Sequence, residues 1–156
     1  AMETPVMSLS RRSILGLTAV AATFPFWRHA AHAASSVLQV YKTPWCGCCA
    51  AWVEHMRAAG FVVRVTEVED LNPVKADLGV LPDLQSCHTG LIDGYVVEGH
   101  VPAREVIRLL RERPAATGLA VPDMPIGSPG MEQGDRRDPY RVVLFSASKR
   151  SVYASY

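Results

Sequence analysis

The chain has 156 residues, 49% of them hydrophobic and 20% charged, which suits one globular domain and is too short for two of ordinary size. Lys+Arg 16 against Asp+Glu 15 leaves a formal charge of +1, so there is no general basic field for phosphate backbones and no nucleic-acid partner is expected. No apolar run reaches the roughly 18 residues of a membrane-spanning helix, and a chain this apolar is not expected to be disordered.

Ser10-Arg11-Arg12 stands before an apolar stretch from Ile14 to Phe26, and Ala31-His32-Ala33 follows. Basic start, short apolar middle and A-x-A cleavage site together predict a signal peptide over residues 1–33. The paired arginines, with Arg28 just ahead of the cleavage site, resemble a twin-arginine export signal; Ile14 and Gly16 stand where that pattern favours Phe and Lys, which leaves general secretion as the other route. At 1.5 Å per residue the apolar stretch is about 20 Å long, shorter than the roughly 30 Å hydrocarbon core, so cleavage is expected and no membrane anchor. The expected location is periplasmic. All four cysteines lie beyond the cut, in an oxidising compartment where thiols persist only if paired, metal-bound or actively reduced.

Ser36-Val37-Leu38-Gln39-Val40-Tyr41 predicts a first strand, stopped at Lys42-Thr43-Pro44. From Cys46 to Ala59, Val53, Met56 and Ala59 fall at helical spacing and Gly60 supplies the C-terminal stop, which puts the cysteine cluster on the first turn of a helix. Phe61–Val65 predicts a second strand, parallel to the first through the helical crossover. Asn72–Leu78 predicts a short helix closed by Gly79, and a loop through Leu81-Pro82-Asp83 leads to Cys87. Thr89–Asp93 and Tyr95–Glu98 predict a hairpin turning at Asp93-Gly94. Pro102 opens a last helix, with Ala103, Val106, Ile107 and Leu110 as its buried stripe, the charges Arg104, Glu105, Arg108, Arg111 and Glu112 as its solvated face, and Pro114 as its end. The Pro/Gly density of residues 114–134 excludes a helix and predicts a long ordered wrap or a flexible tail. Tyr140–Phe145 and Ser151–Ala154 predict a second hairpin. The order is that of a thioredoxin-like β-α-β-α-β-β-α domain over 34–113, with a Pro/Gly/Met loop and C-terminal β-hairpin over 114–156 packed on the same α/β domain.

Trp45-Cys46-Gly47-Cys48-Cys49 resembles the thioredoxin motif W-C-G-P-C with a cysteine in the proline position. Free N–H groups and the positive dipole end at a helix N-terminus stabilise a thiolate, or a metal thiolate. Three sulfurs in four residues exceed what attack and resolution require and point to soft-metal ligation. The fourth, Cys87, lies where such a fold returns to the active-site end of its sheet. If Asp93-Gly94 form the turn, Ile92 faces Tyr95, Leu91 faces Val96 and Cys87 faces His100, with opposed Cβ atoms roughly 4.5–5.5 Å apart. Soft thiolates select Cu(I), Zn(II) or iron–sulfur chemistry. Zinc favours ligand pairs on separate knuckles and iron–sulfur spacing fits poorly, whereas crowded sulfurs can bridge several Cu(I) ions. A polynuclear copper–thiolate site is the preferred reading.

Lys42-Thr43-Pro44-Trp45-Cys46-Gly47-Cys48-Cys49, Ser86-Cys87-His88-Thr89, Gly94–Pro102 and Gly127-Ser128-Pro129-Gly130-Met131-Glu132 resemble the CopG-type periplasmic copper-resistance proteins, long catalogued as a domain of unknown function. The resemblance implies a thioredoxin-like fold, copper bound by Cys46, Cys48, Cys49 and Cys87, and a role in copper tolerance that includes changing copper's oxidation state. Copper ions are the expected partners, with periplasmic copper chaperones or efflux components as the protein partners of such a role. Asp123 stands where glycine is expected.

Simpler assignments stand beside these. Two structural disulfides are the alternative for the cysteines: 46–48 needs a tight ring, and 46–49 leaves Cys48 to reach Cys87. An enzyme is the alternative function, a thiol–disulfide oxidoreductase with Cys46 as nucleophile and Cys49 as resolving thiol. His88 suits a hydrogen-bonding strand residue as well as a ligand, His100 leans to a structural role, and His55 to an exposed surface. Met56 is expected in the core. Met124 and Met131 are thioethers retained, like His88 and His100, as secondary metal ligands. Trp45 either shields the cluster or packs.

Overall fold

A computed structural model describes residues 36–156, and the predicted signal peptide lies outside the described residues. The described residues form one compact unit. Strand β1 (Val37–Lys42) passes through helix α1 (Gly47–Ala58) into β2 (Val62–Glu67), which pairs parallel to it from Val37 opposite Val62 to Lys42 opposite Glu67. Helix α2 (Asn72–Asp77) and a 3₁₀ turn (Pro82–Leu84) lead to β3 (His88–Ile92), β4 (Tyr95–Glu98) and helix α3 (Ala103–Glu112). The chain then adds β5 (Gly118–Ala120), β6 (Arg141–Phe145) and β7 (Arg150–Ser155). The seven strands form one sheet in the order β2-β1-β3-β4-β5-β6-β7.

Local chemistry explains the turns that fix this register. Asp93 and Gly94 both have positive φ, 49° and 84°, as the tight two-residue hairpin turn demands. The expected pairs Ile92·Tyr95 and Leu91·Val96 are present, and the Gly99 N–H donates to the His88 carbonyl at 3.0 Å, carrying the ladder past the strand ends. Period-two alternation then divides the core. Val97 and Leu119 face a cluster with Trp52, Val53 and Met56 of α1 and Val106 and Leu109 of α3. Val96 and Ala120 face the opposite side, against Val80, Leu84 and Phe145.

Three expectations need correction. The Pro/Gly-rich segment is an ordered wrap, yet it contains β5, paired parallel to β4. Three residues with a glycine carry no usable period. That strand is made by its neighbours: Gly118 lies so close to Val96 that a Cβ would collide with its backbone. In α3 the buried residues are Ala103, Glu105, Val106 and Leu109, while Ile107 is 49% exposed. Glu105 is not on the solvated face because β7 ends over it: the Tyr156 hydroxyl donates to Oε1 at 2.8 Å. His55 is not a free surface residue. Its Nε2 accepts the Ala103 N–H at 3.1 Å, capping α3, whose N-cap Pro102 offers no side-chain acceptor.

Candidate metal centre

Cys46 is the N-cap of α1, its extended backbone (φ −80°, ψ 98°) aiming the sulfur at the Cys49 N–H 3.3 Å away. The helix therefore begins with sulfur as its capping atom, and its free N–H groups and dipole face the cluster. Cys46 and Cys49 are joined as a disulfide, while Cys48 and Cys87 are free. The Cys48 sulfur stands 3.5 Å from that of Cys46 and 3.8 Å from that of Cys87. All four Sγ atoms lie within 4.8 Å of one another.

Cys87 also belongs to a second group, with ring nitrogens of His88 and His100, again within 4.8 Å. His100 Nδ1 lies 2.8 Å from the Pro129 carbonyl oxygen, which can only accept, so the ring proton sits on Nδ1. Nε2, 3.0 Å from the Cys87 sulfur, therefore presents a lone pair. His88 Nδ1 is 3.5 Å from the same sulfur. Its Nε2 is buried without a hydrogen-bond partner among the described residues. The His88 ring lies against Trp52 at a tilt of 39°, centroids 4.4 Å apart, and meets the His100 ring edge-on at 5.0 Å.

Electrostatics keeps these groups neutral. Burial, foremost, and then the neighbouring Cys48 sulfur push the Cys87 thiol up to about 12, so it donates to His100 at neutral pH. Burial, with His100 and the Lys75 ammonium nearby, holds His88 well below the usual imidazole range. Burial also lowers His100, against the Pro129 carbonyl and the Glu132 carboxylate, which favour the charged form. Neutral imidazoles keep the lone pairs that metals need.

The other expected residues are placed as follows. Trp45 is 71% exposed and so is not a core side chain; Met56 is in the core. Met124 is 48% exposed and lines a cavity of about 600 Å³ with Pro122, Asp123 and Tyr140, in which no cysteine takes part. Met131 closes the turn after Ser128, whose carbonyl accepts its N–H at 2.8 Å. That turn rests on α1: a Cβ at Gly130 would lie 2.8 Å from the Cys48 carbonyl and from the Trp52 nitrogen. Asp123 adopts φ 61°, the left-handed conformation that a glycine supplies freely and aspartate tolerates. The Pro129 carbonyl as orienter of His100 is absent from the sequence reading, and the Gly127 and Gly130 positions, with φ 90° and 86°, were the available signal of a tight turn there.

The sequence profile described as "Protein of unknown function, DUF411" matches residues 84–131, the segment from the 3₁₀ turn to Met131. No curated protein sequence matches the chain. Two solved structures do. "Copper resistance protein copG- Form 2" is 49% identical, covering 78% of this chain and 98% of its own, with a TM-score of 0.74. "Copper resistance protein copG- Form 1" is 50% identical over 77% of this chain and 96% of its own, with a TM-score of 0.73. With about half of the aligned residues identical along almost the whole length of those structures, the chain belongs to the CopG copper resistance family.

Proposed function

We propose that the chain is a periplasmic copper-binding protein of copper homeostasis, which holds Cu(I) between Cys46, Cys48, Cys49 and Cys87 and interconverts copper oxidation states. The observation that carries this reading is the convergence of four sulfurs from a helix's first turn and a distant loop within 4.8 Å. Thiolate is the soft donor that Cu(I) prefers, and its lone pairs allow one sulfur to bridge several ions. His100 Nε2 and His88 are further donors, and Met124 and Met131 outer thioethers. The paired arginines at 11 and 12 support export, and copper chaperones or efflux components are the partners such a role implies. The β-α-β-α-β-β-α order supports a thioredoxin-like ancestry for the first seven elements.

The Cys46–Cys49 disulfide supports the redox half of the proposal. Transfer of two electrons from the 46/49 dithiolate to two Cu(II) ions forms the disulfide and two Cu(I), so ion and sulfur redox states balance within one site. The same bond favours the second reading, a thiol–disulfide oxidoreductase acting through Cys46 and Cys49.

Anaerobic reduction, a free-thiol count and Cu(I) titration separate the two. The expected result is four thiols and more than one copper per chain, with Cys48→Ser losing copper stoichiometry. Full stoichiometry in Cys48→Ser would overturn the copper site. Under the second reading Cys48→Pro retains or raises disulfide reductase activity; under the first it chiefly weakens copper retention.

A further inference from the structure

Behind the sulfur cluster lies a buried polar group that neither copper nor disulfide chemistry uses. Lys75 of α2, Thr89 of β3 and Glu98 of β4 are all buried, Glu98 completely. The Lys75 ammonium pairs with Glu98 Oε1 and donates to Thr89 Oγ1 at 2.9 Å, and the Thr89 hydroxyl donates to Glu98 Oε2 at 2.7 Å. One contact leaves this triad: the Ser86 N–H donates to Glu98 Oε1 at 2.7 Å.

We propose that Glu98, held by Lys75 and Thr89, is a positioning residue that sets the place of the Cys87 sulfur through the Ser86 amide. A buried ion pair is a poor source of stability, since apolar side chains of similar volume often serve folding equally well. An apolar side chain cannot accept the Ser86 N–H. Three consecutive residues of one strand end grip three consecutive residues of the cysteine segment: Glu98 takes the Ser86 amide, His100 meets the Cys87 sulfur, and Gly99 donates to the His88 carbonyl. Gly99 makes the grip close. Its φ is +70° and a Cβ there would stand 2.5 Å from Ser86 Cβ. Cys87 is thus clamped from both sides in sequence, 3.8 Å from Cys48, on a segment without regular secondary structure whose other ties include the Ser86 hydroxyl donating to the Asp123 carbonyl and the Gln85 carbonyl accepting the Asp123 N–H. Orienters of this kind govern metal affinity because ligands already in place need not be ordered on binding.

The proposal rests on the copper reading for its consequence and stands apart from it in its geometry. The test compares Lys75→Met/Glu98→Leu, which deletes the anchor, with Lys75→Met/Glu98→Gln, which keeps an acceptor for Ser86 without a stranded charge. Each reduced, copper-free protein is alkylated with N-ethylmaleimide, and the rates at Cys87 and Cys48 are read separately by peptide mass; Cu(I) affinity is then measured by competition with a chromophoric chelator. The leucine variant is expected to alkylate about tenfold faster at Cys87, with Cys48 little changed, and to bind Cu(I) about tenfold more weakly, while the glutamine variant stays close to wild type. Equal Cys87 rates in the leucine variant and wild type, or equal damage in both variants, would overturn it. Should the leucine variant fail to fold, hydrogen exchange at the wild-type Ser86 amide decides: strong protection is expected, and exchange at the rate of an open loop amide refutes the anchor. If no protein binds Cu(I), the copper reading falls and the alkylation contrast still decides this one.

Discussion

The Nε2 atom of His100 stands 3.0 Å from the sulfur of Cys87 because its other ring nitrogen is fixed on the Pro129 carbonyl, 2.8 Å away. One imidazole therefore ties the hairpin β3–β4 to the wrap that follows β5. His100→Ala is expected to weaken Cu(I) binding about tenfold or more, in the range typical of lost ligands and their orienters. His55→Ala, which removes the α3 cap and is not among the grouped donors, is expected to lower the melting temperature without that loss. Chelator competition on both proteins checks the pair of outcomes; unchanged affinity in His100→Ala would remove His100 from the site.

Copper binding should depend on the state of the Cys46–Cys49 bond. With it intact, two thiols remain, Cys48 and Cys87; after reduction there are four sulfur donors. Ligand that binds only the folded chain at a hundred times its Kd adds about 2.7 kcal/mol of stability. Differential scanning calorimetry should show Cu(I) raising the melting temperature strongly in the reduced protein and weakly in the oxidised one, with Zn(II) a poor competitor. Equal shifts in both forms would mean that Cys46 and Cys49 contribute nothing.

Acid should destabilise the copper-free protein before its carboxylates matter. His55, His88 and His100 all have folded pKa values below the ordinary 6.5, with burial as the main cause. The stabilisation is fully present above 6.5. Below it the unfolded chain binds protons that the native chain refuses, and stability falls until the lowered folded values are reached, at about 1.4 kcal/mol per pH unit for each proton of difference. Glu98 acts in the opposite sense, since burial raises its carboxyl, but it is one group against three. A melting temperature that drops between pH 7.5 and 5.5 is expected; a flat profile would contradict the buried neutral imidazoles.

The turn at 127–130 should be intolerant of a single methyl group. Gly130 has φ +86°, and a Cβ would meet the backbone of Cys48 and Trp52. Gly130→Ala is expected to cost roughly 1–3 kcal/mol through strain and overpacking, and to lift the Pro129 carbonyl from His100. Chemical denaturation gives the first quantity, and loss of Cu(I) affinity the second. Wild-type stability in Gly130→Ala would show that the wrap is not held against α1.

Sequence alone fixed what local rules govern. The W-C-x-C-C run had to sit on a helix start because Pro44 ends a strand before it and apolar spacing begins after it, and Asp93-Gly94 had to turn a hairpin because few other dipeptides accept positive φ twice. From that turn the meeting of Cys87 with His100 followed by counting, and the expectation of a soft metal followed from sulfur. The tertiary structure decided everything that depends on which surfaces meet. It made β5 from three residues with no period of their own, covered Glu105 with Tyr156, turned His55 into a cap, and closed a disulfide between two of the four sulfurs. It also chose the tautomer of His100 through a carbonyl 29 residues away in sequence. Backbone carbonyls and amides are the same in every residue, so a chain of letters says nothing about which of them a side chain will find; only packing brings them together.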